Sequence, residues 1–374
     1  MNLKPLKPDF ITEEEVQVLK KENLFIAEVD AFSSALEELF FIENPQYKKA
    51  QPGVIELLDK YLASCTIDPV FIFYPWKNTV VKTVPEDIYF TLRTARNRFI
   101  IKHEEQTAYR DLHVAIAGLS VGSAILSSIV VNGGCKKMKI TDFDRTEITN
   151  LNRMRAKLTD IGQNKAFIAA KEVWELDPYA QLDIWSDGIT KDTLKKFLLD
   201  PKVDVFVDEM DSLDLKIAAR FICREAGIPV LMATDNGDGI ILDVERFDLD
   251  KTQEIFHGLL GSVTPKDFEN IDYKMWLQLA TKIVGPKYLT PRMQESLSVI
   301  GRDIPSVPQL GTAANIAGAA VSFCLRRISS KLPLESGRYT VSLEEKIIPK
   351  YMSEEMVKER EKNTELFISN FGKK

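Results

Sequence analysis

Asp142 is followed at short range by Asn150, Arg153 and Lys165, and further on by Asp211. A carboxylate at the end of a strand accepts hydrogen bonds from ribose hydroxyls. Two cations and an amide donor beside it neutralise and orient a triphosphate, whereas a dinucleotide's diphosphate is already served by a glycine-rich turn. Taken singly, Arg153 and Lys165 read as cations solvating a helix end; taken together with Asp142 they point to a nucleotide. Upstream, "GLSVGS" at 118–123 is an imperfect GxGxxG, with Ser120 and Ser123 where the second and third glycines would stand. Gly118 can make the tight turn, and Ser120 and Gly122 belong to a helix start whose backbone N–H groups form an anion site. Alone, this stretch reads as a phosphate-binding turn or as an ordinary strand-to-helix turn. Downstream, "VDEMD" carries Asp208 and Asp211. Carboxylates at a strand end can hold Mg²⁺ against phosphates. Asp211, further past the strand, is the better metal candidate, and Asp208 alternatively braces a turn.

These residues need a scaffold that brings strand ends together. From residue 113 the chain alternates between apolar runs and amphipathic ones. "HVAIAG", "KMKITDFD", "QLDIWSD", "VDVFVDEMD" and "IPVLMATD" read as strands, and "SAILSSIVVNGG", "NKAFIAAKEVWELDP", "KDTLKKFLLD" and "LDLKIAARFICREAG" as the helices between them. Strands apolar throughout, separated by helices, predict a mostly parallel sheet covered on both faces. The fold class expected is α/β, a doubly wound Rossmann-like sheet that collects ligands at its strands' carboxyl ends, preceded by a smaller N-terminal α+β module. In that module, residues 11–42 have apolar residues at helical spacing. "PVFIFYPWKNTVVKTVP" reads as a hairpin turning at "WKN", and residues 85–112 as a helix with Pro85 near its start. Tyr74 and Trp76 read as turn packing or as a peptide-docking surface. The division expected is 1–92, 93–330 with a crossover insert at about 245–305, and 331–374, a strand and a charged helix.

Composition narrows the function classes. The chain has 374 residues, 45% hydrophobic and 28% charged, with net charge −6, which gives no basic field for nucleic acid. No apolar run is long enough to cross a bilayer and the N-terminus lacks a signal-peptide core, so a cytoplasmic, non-membrane protein is expected. Cys65, Cys135, Cys223 and Cys324 form no CxxC pair, and His103, His113 and His257 form no HxxxH pair. A zinc site or disulfide framework is therefore not expected.

The ordered set "ARNRFI", "GLSVGS", "DFDRTEITNLNR", "GQNK", "VDEMD" and "PQLGTAANIAG" resembles the ThiF/MoeB/HesA family of adenylation domains, relatives of ubiquitin-activating enzymes. The likeness runs from about Arg96 to Cys324. It implies an adenylyltransferase in which the carboxylate of a small protein or peptide attacks ATP. It assigns Asp142 to the ribose, Asn150, Arg153 and Lys165 to the phosphates, and Asp211 to magnesium. Arg98 matches an arginine that family members lend to a partner subunit's ATP site, which implies a homodimer. Many relatives pass the acyl group to a cysteine in the crossover, but residues 245–305 contain none, so a cysteine-independent variant is implied. An NAD-dependent oxidoreductase and a catalytically silent scaffold are the competing readings.

Overall fold

The structure, a computed structural model, describes residues 7–22, 27–268 and 273–371. The chain divides into two compact units, residues 1–107 with 173–180, and residues 108–172 with 181–374.

The first unit is built on β1 (Asp9–Ile11), α1 (Glu13–Lys21), β2 (Ala27–Asp30), α2 (Phe32–Glu43), α3 (Val54–Ser64), β3 (Val70–Tyr74), β4 (Thr79–Thr83) and α4 (Glu86–Thr94). Its sheet runs in the order β1-β3-β4-β2. The expected hairpin is present as β3 and β4, antiparallel through the turn at residues 75–78. Two helical readings are corrected. Residues 11–42 are not one helix, because β2 interrupts them and pairs in parallel with β4; residues 23–26 lie outside the described residues. The 85–112 segment breaks after Thr94 into a 3₁₀ turn at Ala95–Asn97, where Asn97 O accepts from both Ile100 N and Ile101 N. Phe99 there takes φ +69°, which no helix continues through. Tyr74 and Trp76 pack within this unit: Tyr74 Oη donates to Trp174 O at 3.1 Å, and Trp76 Nε1 donates to Glu175 Oε1 at 2.7 Å.

After α5 (His103–Asp111) the second unit lays down β5 (His113–Ala117), α6 (Val121–Val131), β6 (Lys137–Thr141), α7 (Lys165–Leu176), β7 (Gln181–Trp185), α8 (Lys191–Leu199), β8 (Val205–Asp208), α9 (Leu213–Ala226) and β9 (Val230–Asp235). These follow the alternation of the sequence. Beyond them come β10 (Gly239–Glu245), α10 (Tyr273–Val284), α11 (Pro291–Ser298), α12 (Gly311–Ser329), β11 (Gly337–Ser342), α13 (Leu343–Ile347) and α14 (Glu354–Phe371). The sheet order is β11-β10-β9-β8-β5-β6-β7. Strands β7 to β9 are mutually parallel, and β10 and β11 add an antiparallel edge. The chain runs outward from β5 through β6 to β7, then crosses back to β8 on the other side of β5, and this switch point opens a crevice at the strands' carboxyl ends.

Two features hold the crevice's frame. Helix α12 lies against α6 because Gly318 has no side chain; a Cβ there would meet Ser128 Oγ and the Ala124 carbonyl. Under the sheet, Arg220 is fully buried and donates to Asp208 Oδ2 at 2.5 Å and to Glu245 Oε2 at 2.6 Å, with its guanidinium 3.7 Å from the Phe256 ring centre. Burial alone would raise the Asp208 carboxyl, but Lys216 and Arg220 outweigh it and hold the group below its ordinary value. Asp208 is thus a brace, the second of the two roles its position allowed.

Candidate active site

A cleft of about 660 Å³ opens where β5, β6, β8 and β9 end. Its floor is the turn after β5. Gly118 takes φ +89°, and a Cβ there would run into the backbone carbonyl of Glu209, so only glycine fits. Asp142, leaving β6, fastens this turn: its Oδ2 accepts from Leu119 N and its Oδ1 from Asp144 N, both at 2.8 Å. Burial raises the Asp142 carboxyl, against the pull of those two N–H groups and of Lys165. Each oxygen keeps a second lone pair for a ligand. No side chain caps the start of α6 at Ser120, so its first N–H groups are left for an anion.

The serines in place of glycines have jobs. Ser123 Oγ donates to Ser120 O at 2.9 Å and accepts from Arg155 N at 3.2 Å, tying the 150–155 segment to α6. Ser120 Oγ accepts from Lys165 Nζ at 3.4 Å. Lys165 opens α7, and its Nζ also donates to Asp144 Oδ2 at 2.8 Å. The loop between β6 and α7 carries Asn150 and Arg153 on a 3₁₀ turn, Ile148–Asn150, and the residues just after it. Asn150 Oδ1 accepts from Glu147 N, and Asn152 Nδ2 donates to Gln309 O at 2.7 Å. Gly311 lets this loop approach α12, since a Cβ there would meet Asn152 O. Arg153 Nη1 donates to Thr149 O and Asn152 Oδ1, while its Nε is buried without a partner. Burial lowers the guanidinium's affinity for its proton, and Asp235 and Asp211 restore part of it.

Gly118, Ser120, Asp142, Asn150, Arg153, Lys165 and Asp211 therefore line one cleft. Gly122 does not: it is buried in the first turn of α6 against Ile116 and Leu119, a packing position. Arg98 belongs to the first unit and is exposed there. Six charged lining residues escaped the sequence reading: Asp144, Arg145, Glu147, Glu209, Lys216 and Asp235. Asp235 ends a strand that the sequence showed, so the strand-end rule that found Asp142 and Asp211 reaches it as well. Burial pushes the Glu209 carboxyl well above the usual carboxylate range, outweighing Lys216 and the N–H of Ala233.

The sequence model of the ThiF family matches residues 94–333, well over half of the chain. The protein belongs to the ThiF family. Its matched region holds every residue of the cleft. Uncharacterized protein MT1398 of Mycobacterium tuberculosis is 36% identical to this ThiF protein over 271 residues, 72% of this chain and 37% of that one. The tRNA threonylcarbamoyladenosine dehydratase of Escherichia coli is 25% identical over 148 residues, 38% of this chain and 54% of that enzyme. The chain thus spans between about a third and a half of the lengths of these two relatives. The crystal structure of the E. coli dehydratase TcdA in complex with ATP superposes with a TM-score of 0.44 at 19% identity, covering 64% of this chain and 95% of that one.

Two cysteines of this ThiF protein sit in helices flanking the sheet, Cys223 in α9 and Cys324 in α12, both buried. Burial pushes the Cys324 thiol up to about 11 and the Cys223 thiol higher still, so neither is a thiolate near neutrality. Among the described residues, no helix is long and apolar enough to cross a membrane.

Proposed function

We propose that this ThiF protein is an ATP-dependent adenylyltransferase that activates a carboxylate, the C-terminus of a small protein or peptide, as an acyl-adenylate. The observation that carries this reading is the meeting, in one cleft, of the tight turn at Gly118, an uncapped helix start, Lys165, Arg153 with its unpartnered Nε, and the exposed Asp211. The cleft volume is of the size that small-molecule sites have, on the order of 300–1,000 Å³.

In this reading Asp142 faces the ribose, the N–H groups at the start of α6 and the side chains of Asn150, Arg153 and Lys165 face the phosphates, and Asp211 holds Mg²⁺. The metal supplies neutralisation of phosphate charge when bound. An ionised carboxylate oxygen forms a bond to the α-phosphorus while the bond from that phosphorus to the bridging oxygen of the β-phosphate breaks. Pyrophosphate leaves with the electron pair. No proton moves, so the chain needs cations and alignment rather than a strong base. A homodimer in which Arg98 reaches the partner's cleft is part of the proposal; Arg98 precedes Phe99 and Ile100, which are 100% and 82% exposed.

ATP–pyrophosphate exchange in the presence of peptides with free C-termini tests the reading. Exchange is expected with the unsubstituted chain and its loss in Arg153→Ala and Asp211→Ala, both melting as cooperatively as the parent. Exchange at the parent rate in both variants would reject the site.

A further inference from the structure

Buried carboxylates in the second unit are met by donors of the chain itself. Asp142 takes two backbone N–H groups, Asp208 takes Arg220 and Lys216, and Asp243 takes both arms of Arg338. Asp235 is the exception. It ends β9, lines the cleft and is only 8% exposed, yet neither carboxylate oxygen has a hydrogen-bond partner. A charge withdrawn from water without donors is destabilising unless something else meets it, and burial accordingly pushes this carboxyl up to about 6, against the pull of Arg153. Arg153 acts on Asp235 at a distance but donates instead to Thr149 and Asn152. Lys165 and Lys216 are engaged with Asp144 and Asp208. Among the described residues, no cation of the chain donates a hydrogen bond to Asp235, which leaves both its oxygens for a ligand.

The neighbouring strand ends say which ligand. Strands β8 and β9 pair Phe206 with Val230 and Val207 with Leu231. Past the end of β8, Ala233 N donates to the Glu209 side chain at Oε1. Asp211, just past the end of β8, and Asp235, at the end of the neighbouring β9, line the same cleft. Arg153 feels both carboxylates, Asp235 the more strongly, so the two share one corner of the cleft. An N–H donor from a ligand would satisfy one oxygen and leave two negative charges together. A divalent cation neutralises both, and Mg²⁺ takes one or two carboxylates beside phosphate oxygens and water.

We propose that Asp235 is a second protein ligand of the divalent cation, forming with Asp211 a two-carboxylate seat at the ends of β8 and β9. The inference rests on the nucleotide reading above and refines it.

The test uses the full chain, with Mn²⁺ as an electron-paramagnetic probe and a non-hydrolysable ATP analogue. Nucleotide affinity is measured separately in chelator. The unsubstituted chain is expected to bind the analogue without metal and to hold Mn²⁺ in its presence. Asp235→Asn should weaken Mn²⁺ at least tenfold while leaving metal-free nucleotide affinity within about twofold, and Asp211→Asn should do the same. Asp235→Ala is measured beside it, because an amide can ligate weakly; both variants remove an unpaired buried charge and are expected to melt no lower than the parent. Mn²⁺ held at parental affinity in both Asp235 variants would overturn the proposal. So would an equal loss of metal-free nucleotide binding, which would make Asp235 a contact to the nucleotide itself. No analogue binding by the unsubstituted chain would overturn the nucleotide reading and this inference together.

Discussion

At the scale of single residues, Gly118 has the least freedom to change. Its positive φ and the Glu209 carbonyl facing it leave no room for a methyl group. Gly118→Ala is expected to lower unfolding free energy by about 3 kcal/mol in urea titration, through backbone strain and displacement of the 209–210 segment. Ser123 is constrained by hydrogen bonding rather than space. Ser123→Ala removes an acceptor from Arg155 N and a donor to Ser120 O, which should cost about 1–2 kcal/mol. The change loosens the segment carrying Arg153, so the KM for ATP should rise in pyrophosphate exchange more than kcat falls. Seven of the eight residues singled out for nucleotide or metal could be gathered from strand ends and a helix start, because a parallel sheet puts such positions on one edge. Gly122 is the one of the eight that does not line the cleft: it is buried in the first turn of α6.

At the scale of elements, β10 was the strand that sequence reasoning passed over. Asn236-Gly237 followed by Asp238-Gly239, between two apolar runs, is a hairpin signal, and Asn236 N indeed donates to Gly239 O. What obscured the strand is its charge: Asp243 and Glu245 are buried in it, and acidic residues in a sequence read as surface. Their partners, Arg338 on β11 and Arg220 on α9, come from far along the chain. Replacing one member of such a buried set leaves its partners unpaired. Arg220→Met should therefore destabilise by about 3–5 kcal/mol at neutral pH. The pH dependence has a definite sign. In the parent, Asp208 is held below its ordinary value of 3.8, so its contribution is complete above that pH and is lost as pH falls through the lower folded value. In Arg220→Met the Asp208 carboxyl loses one of the two cations that hold it down, rises, and takes up a proton in place. The stability gap between parent and variant should narrow from pH 7 to pH 4 in thermal melts; a constant gap would show that the arginine acts by packing alone.

At the scale of the whole molecule, the proposed dimer makes a prediction that no single chain can mimic. If Arg98 serves a partner's cleft, Arg98→Ala and Arg153→Ala chains should each be inactive alone, yet regain exchange when mixed, up to about a quarter of parental activity for random pairing of one good site per mixed dimer. Sedimentation of the parent should give twice the chain mass. Failure of complementation with both variants dimeric would confine Arg98 to its own chain.

By itself the sequence determined the alternation of apolar strands and amphipathic helices, hence a parallel sheet, and the ordered motifs that make this a ThiF chain. Both are local properties, carried by periodicity and by residues close together in the chain. The tertiary structure alone decided that β10 and β11 extend the sheet, that Asp208 braces rather than opens to the cleft, and that Asp235 stands buried at the cleft without a hydrogen-bond partner. Each of those depends on which distant residue supplies a counter-charge, and a desolvated charge takes its meaning from a neighbour that only folding brings near.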